Sequence, residues 1–397
     1  MSTALAQATR GTRPTFAIWA RQWVDPVLAL VAVALLALGL VMVASASVPK
    51  AAEAGDALYF FKRQLAFAGF GLALAAAAYA VPLWVWERAA YWLAAGAALL
   101  LILVLIPGLG HEVNGSRRWL RLGLTLQPSE LARFAAVLFV AAYLVRRQGE
   151  VRSQWWGFVK PLLICAVLAG LILLEPDLGS AAVLMAVVLG MLFLAGARLL
   201  PFALFLGGGL GLGVLAVVLE PYRLHRLQAF LDPWQDPFGS GFQLAQALIA
   251  IGSGGWTGVG LGESVQKLLY LPEAHTDFLF SVLAEELGLL GVAVVIGLFA
   301  VLVWRCFAVA VRAEAAGLRF GVWVAYGVGM WLGLQAFINM GVNLGVLPTK
   351  GITLPLMSSG GSSLVVNLMA LGLVQRVWRE ARDQAPLPGL VRRDGEP

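Results

Sequence analysis

Ten long apolar runs joined by mostly short polar links constrain this chain more than any other feature. By hydropathy they fall near residues 27–45, 64–81, 89–106, 130–145, 158–174, 180–195, 202–219, 276–303, 320–343 and 362–378. A helix of about 20 apolar residues crosses the hydrocarbon core of a bilayer. A closed barrel would instead need short alternating strands, which unbroken Leu/Ala/Val/Gly runs do not supply. Charged residues are only 13% of the 397-residue chain, against about 25% in soluble domains, and the mean hydropathy is +0.84. The expected fold is therefore an all-α integral membrane protein with ten transmembrane helices. A large extracytoplasmic loop, 220–275, is expected between helices 7 and 8. The domain plan is a tail over 1–26, a transmembrane domain over 27–378 and a second tail over 379–397.

Basic residues set the orientation of such a chain, because Lys and Arg accumulate in cytoplasmic loops. An even number of spans places both termini on one side, and 17 of the 28 basic residues fall there. The bias predicts cytoplasmic termini. The net charge of +6 is then explained largely by cytoplasmic anchors, and no nucleic-acid partner is expected. The stretch before Pro26 is polar and basic, and the first apolar run is too long for the core of a cleavable signal peptide. Cys165 and Cys306 lie in or at the end of apolar runs and read as inert helix residues. The three histidines are scattered, which argues against a His-rich metal site.

Against this background the run LPEAHTDFLFSVLAEELG, 271–288, stands out. His275 and Asp277 sit where a polar loop becomes an apolar helix, and Glu285 and Glu286 follow two turns later. A carboxylate at membrane depth is costly unless solvated, paired or protonated, so each marks a candidate site. Asp277 belongs to the outer mouth. The Glu pair lies about 12–14 Å further along the helix, which suits a polar network better than direct chemistry. A helix start favours the Asp277 anion, while burial disfavours it and makes it a stronger base. Sequence alone leaves that balance open.

Four other outer-side segments carry chemistry. In PGLGHEVNGSRRWLRLGLTLQPSE, Arg117, Arg118 and Arg121 gather beside Trp119, as interfacial anchors or as a phosphate clamp. Gln127-Pro128-Ser129-Glu130 reads as a helix start, with Arg133 at i+3 able to pair with Glu130. The EPDLGS stretch fits a short turn in which Pro176 and Asp177 have ordinary turn roles. The Gly-rich loop 231–266 frames a short amphipathic helix near 242–251. LPTKGITLPLMSSGGSS, 347–363, carries Lys350 and a Ser358–Gly361 turn, either a plain capped turn or an anion site at a helix start.

Taken in order, VNGSRRWLRLG, QPSEL, EPDLG, DPWQDPFGSGFQ, GVGLGESVQK, LPEAHTDFLFSVLAEELGLLG and LPTKGITLPLMSSGGSS resemble the SEDS family of peptidoglycan glycan polymerases, and its cell-division members more than its elongation members. The resemblance spans about residues 26–378 and implies ten transmembrane helices with activity on the outer face. It implies lipid II as substrate, a class B penicillin-binding transpeptidase (FtsI) as partner, and FtsQ-FtsL-FtsB and FtsN-type activators. It makes Asp277 the catalytic carboxylate and implicates Arg118, Glu130 and Arg133. His275, Lys350 and Ser358 join them as expected substrate-binding residues, with a divalent cation (Mg or Mn) considered near Asp277. Arg133 replaces a frequent Lys of the family, Ser359 a frequent Tyr, and Phe242 another. Rival readings are a lipid II flippase and a non-catalytic divisome scaffold.

Overall fold

The structure is a computed structural model that describes residues 23–53, 55–56, 58–113, 116–122, 124–218, 230–268, 271, 273–348 and 351–384. Each apolar run becomes a helix. They are α1 (Pro26–Glu53), α2 (Tyr59–Ala80), α3 (Leu83–Leu105), α4 (Pro128–Ser153), α5 (Trp155–Leu174), α6 (Leu178–Leu194), α7 (Leu199–Val218), α9 (Leu279–Ala315), α10 (Arg319–Asn343) and α11 (Gly361–Gln384). The short helix expected in the Gly-rich loop is α8, Phe242–Ser253. Six helices, α1, α3, α4, α5, α9 and α10, are long and apolar enough to cross a membrane by length and composition. The helix ends differ from the hydropathy runs by a few residues, because polar first and last turns remain helical without being apolar.

The segment between α3 and α4 contains the only β-strands among the described residues. They form a three-stranded antiparallel sheet of β1 (Gly110–Val113), β2 (Ser116–Leu122) and β3 (Leu124–Leu126). Side chains alternate across a strand, so Arg118 shares a face of β2 with the buried Leu120, and Arg117 and Trp119 take the other. The expected cluster of three arginines is thereby divided, and Arg118 is turned inward.

Two helices form the centre. The apolar window of α4 is 89% buried and that of α10 is 67%, against 28% for α3 and 22% for α9. A helix apolar on every side is stable only when surrounded, and Ala132 to Leu144 of α4 are buried without interruption. Exposed Leu, Ile and Val on α5 and α9, such as Val167 and Val294, form the outer wall, as expected where the solvent is lipid.

Long-range hydrogen bonds define two ends. At one, Asp25 caps α1 through the Val27 and Leu28 N–H groups, both at 3.0 Å, and pairs with Arg305 of α9. Gln375 of α11 bonds the Asp25 N–H at 2.6 Å and its carbonyl at 3.0 Å. Glu380 accepts from the N–H of Leu83 at 3.0 Å, and Arg152 Nε donates to the Ala195 carbonyl at 2.8 Å. The loops carrying the candidate chemistry meet at the other end.

Candidate active site

The chain approaches Asp277 through a turn and leaves it into α9, so Asp277 lies just before that helix and is half-buried. Its position is set by α10. Asn339 and Asn343 both donate to the Asp277 carbonyl at 2.9 Å. Asn343 Oδ1 accepts from the Ser281 N–H at 3.1 Å and hydroxyl at 2.7 Å, and so ties the first turn of α9, whose Ser281 N–H also donates to the Phe278 carbonyl at 3.0 Å, to α10. Asn339 also donates to the Ile352 carbonyl at 2.6 Å. One turn earlier, Gln335 Nε2 donates to the Thr353 carbonyl at 2.9 Å. Gln335, Asn339 and Asn343 are spaced i, i+4, i+8 and form a polar stripe on one face of α10. This stripe holds the segment 351–354 on one side and the Asp277 turn on the other. The sequence reading missed it, although three amides at helical spacing in QAFINMGVN were the available signal.

Segment 351–354 runs beside the carboxylate. A Cβ added to Gly351 would stand 3.2 Å from Asp277 Oδ2, so the main chain passes close to the acid. Lys350, expected to bind substrate, lies outside the described residues. Ser358 is buried. Its hydroxyl accepts from the Leu354 N–H at 2.9 Å and its carbonyl accepts from Gln64 Nε2 at 3.0 Å. In this structure it therefore shapes the 354–358 turn. The Ser359 N–H donates to the His275 carbonyl at 2.9 Å, joining that turn to the Asp277 loop. The His275 ring is buried and lies 4.7 Å from the Phe60 ring. Burial, with Lys50 adding to it, lowers its pKa to about 4, so it is neutral near pH 7.

Arg118 supplies the cation. It reaches from β2 to the α5–α6 turn, where Nε donates to the Glu175 carbonyl at 3.0 Å and a terminal nitrogen to the Pro176 carbonyl at 2.7 Å. Asp177 caps α6 through the Ser180 N–H at 3.0 Å and hydroxyl at 2.7 Å, as the turn reading expected. Glu175 goes beyond that reading. Its carboxyl is fully buried with both oxygens unpartnered among the described residues, and burial followed by the nearby Asp177 raises its pKa to about 8. The pKa of Asp277 is raised to about 7, first by burial, then by the charges of Glu273 and Asp177, with Arg118 opposing them. Desolvation thus outweighs the helix start in the balance that the sequence left open.

Glu130 and Arg133 are both buried on α4 and form the expected ion pair. Arg133 also donates to Gln335 Oε1 at 2.7 Å and lies over the Trp331 ring, 5.7 Å from its centroid. Through Gln335 this pair connects to Thr353, in the same segment that passes Asp277. Among the described residues no group of three or more His, Cys, Asp or Glu side chains is placed to hold a metal ion.

The deeper pair has a separate task. Gly288 interrupts α9 with φ 64° and ψ −165°, a conformation available to Gly alone. The Gly-rich loop fills the break with main-chain bonds. The N–H groups of Val259 and Gly260 donate to the carbonyls of Glu285 and Glu286 at 3.0 and 3.1 Å, and those of Leu289 and Leu290 donate to Gly255 and Trp256 at 2.9 and 3.1 Å. A Cβ on Gly258 would lie 2.1 Å from the Glu286 carbonyl oxygen. Side chains complete the joint. Glu285 accepts from the Ser264 hydroxyl at 2.5 Å and the Val265 N–H at 3.0 Å. Glu286 accepts from Lys267 Nζ at 2.8 Å and from the Ser45 hydroxyl of α1 at 2.6 Å. Lys267 was another residue the sequence reading missed.

Removing the α10 clamp should disturb chemistry more than folding. For Asn343→Ala we expect kcat to fall by about a hundredfold, as for a displacement of about 1 Å at a reacting group, with KM little changed. Turnover per folded molecule, with KM and kcat measured separately, checks this.

The fold and site define a polytopic membrane protein with an acid–arginine centre at one end of its helix bundle. A family model described as Cell cycle protein, spanning FtsW, RodA and SpoVE, matches residues 26–383, and the chain belongs to this family. It is 55% identical over 389 residues to a probable peptidoglycan glycosyltransferase FtsW of Thioalkalivibrio sulfidiphilus (strain HL-EbGR7), covering 98% of this chain and 97% of that one. A protein of the same description from Coxiella burnetii (strain RSA 493 / Nine Mile phase I) is 52% identical over 351 residues, covering 88% and 94%. Among solved structures, a chain of a peptidoglycan synthase complex described as coordinating polymerization and crosslinking aligns with TM-score 0.74 at 34% identity, covering 91% of this chain and 99% of that one. Thermus thermophilus RodA, a rod shape determining protein, aligns with TM-score 0.66 at 33% identity, covering 90% and 97%.

Proposed function

We propose that the chain is a peptidoglycan glycosyltransferase that polymerises lipid II into glycan strands for cell division. The observation that carries the mechanism is the clamped Asp277 carboxyl, raised to about 7, with Arg118 acting on it electrostatically. The family relation and the relatives named FtsW support the reaction and the septal setting.

In the proposed step the acceptor 4-hydroxyl oxygen attacks the anomeric carbon of the donor sugar. The bond from that carbon to the pyrophosphate oxygen breaks, and the hydroxyl proton passes to the Asp277 carboxylate. The polyprenyl pyrophosphate leaves with the electron pair. One displacement inverts the anomeric centre, and one base is enough. A base with pKa near the working pH combines a useful ionised fraction with useful basicity. The leaving pyrophosphate needs its charge held rather than a proton, and a guanidinium matches phosphate oxygens in pairs. Arg118 is that donor, exchanging its carbonyl partners for the ligand. Glu130 and Arg133 position the 351–354 wall through Gln335.

The proposed setting is the inner membrane, with both termini cytoplasmic and the Asp277 end periplasmic; the charge bias supports it. The proposed partner is a class B penicillin-binding transpeptidase, which fits the synthase complex containing a similar chain. Purified protein with that transpeptidase and lipid II should yield glycan polymer. Translocation of lipid II without polymer would replace this reading with the flippase one, and neither product would leave the scaffold.

The same carboxyl predicts a pH profile. Asp277 must be ionised to accept the proton, so kcat/KM should rise with pH about tenfold per unit below 7 and level off above about 8. Initial rates in a series of buffers, with lipid II below saturation, check the sign and the midpoint.

A further inference from the structure

The end of the bundle opposite Asp277 has a cavity that polymerisation does not use. It lies between α3, α4 and α5, and its volume is about 580 Å³. Tyr91, Tyr143, Arg146, Arg147 and Lys160 line its polar side. Arg146 lies 18 residues beyond the start of α4, or about 27 Å along a helix. That is close to the thickness of a hydrocarbon core, so the cavity sits at the level of the other bilayer interface.

Its shape and charge have a local cause. At Arg147 the backbone leaves helical geometry, with φ −134° and ψ 23°, and α4 bends. The Arg146 guanidinium lies over the Tyr91 ring, 5.1 Å from the centroid. Arg147 is paired with Glu150 at 2.6 Å. Arg146 and Lys160 are exposed and form no ion pair among the described residues. The outer wall is Leu163 and Ile164, which are 54% and 46% exposed on the face that would meet acyl chains.

We propose that this cavity binds an anionic phospholipid, with the phosphodiester between Arg146 and Lys160 and an acyl chain along Leu163 and Ile164. Three cations and no carboxylate line the cavity, and among the described residues only Arg147 has an ion-pair partner, Glu150, so the cavity is complementary to an anion. A volume of this size suits a small-molecule headgroup. A free phosphate would make no use of the exposed aliphatic wall, whereas a lipid uses both sides. Basic pockets between spanning helices on the cytoplasmic side have this character. The inference is independent of the polymerase reading and needs only that this end of the bundle meet a bilayer surface.

Full-length protein in detergent, titrated with dioleoylphosphatidylglycerol or dioleoylphosphatidylcholine and followed by native mass spectrometry, tests it. For Arg146→Gln/Lys160→Gln we expect retention of the anionic lipid to fall at least about tenfold, with the neutral lipid unchanged. Arg198→Gln/Arg319→Gln removes equal charge from the same end and should fall less than about twofold. Equal losses in both variants would mean a diffuse basic surface and overturn the proposal, as would unchanged binding in the first. Displacement of the lipid by millimolar glycerol phosphate would assign a free-anion site instead and also overturn it. Lys160→Gln alone, an exposed substitution, serves if the double variant fails to fold, and should lose a fewfold; no loss would overturn the proposal.

Discussion

Asp277→Asn should sharply slow strand synthesis while leaving the protein folded. The substituted amide keeps the size of the carboxyl, and the contacts that fix this position run through the main-chain carbonyl, which Asn339 and Asn343 hold at 2.9 Å. The geometry should survive and only the proton acceptor should go. General-base catalysis contributes about 10²–10⁴-fold, so polymer formation should fall by that factor, with thermal stability unchanged or slightly raised. A slight rise is expected because an amide carries no charge to desolvate. Gel analysis of glycan products from the purified protein, beside its melting temperature, reads both quantities. Normal polymer from well-folded variant would remove Asp277 from the mechanism.

Lys267→Met should have the opposite signature, with stability lost first and activity only as a consequence. Lys267 and Glu286 are both buried, and removing one member of a buried pair leaves the other uncompensated, at a cost of about 3–5 kcal/mol. Glu286 Oε2 already has no partner among the described residues, so little remains nearby to absorb the charge. Lys267→Met/Glu286→Gln should recover much of the loss, because a neutral pair carries no desolvation penalty. Melting temperatures of wild type, both single variants and the double variant form the cycle that isolates the coupling. Additive effects would show that the pair is incidental.

Helix positions were legible in the sequence because each apolar run is longer than a soluble helix needs. The centrality of α4 was not, because its run resembles the others and only packing shows that lipid never reaches it. Asp277, Glu130 and Arg133 were legible as charges at the edges of apolar runs, where a charge requires a reason, whereas Arg118 was legible only as part of a basic loop cluster and was singled out by the family resemblance. The sheet was hidden because its seven-residue strand carries three arginines and a tryptophan, which read equally well as an interfacial loop. The α10 stripe was passed over because amides are neutral and hardly lower hydropathy. The partner of Glu286 was hidden by distance along the chain, with Lys267 in a loop that composition marks only as flexible. The contacts that Arg118 makes with the Glu175–Pro176 turn likewise come from a strand distant along the chain, which the local turn signal does not mention.

The break at Gly288 divides α9 into two pieces with different mechanical duties. An uninterrupted helix transmits rotation about its axis from one end to the other. Here the intrahelical ladder stops, and the bonds on both sides of the gap go to the 255–260 loop instead. A twist applied to the lipid-facing part beyond Gly288 is taken up by that loop before it reaches the first turns, where Asp277 is anchored. The Asp277 end is thus torsionally insulated from the outer wall of its own helix. Motions reach it through α10, whose amides hold it, and through the loop itself.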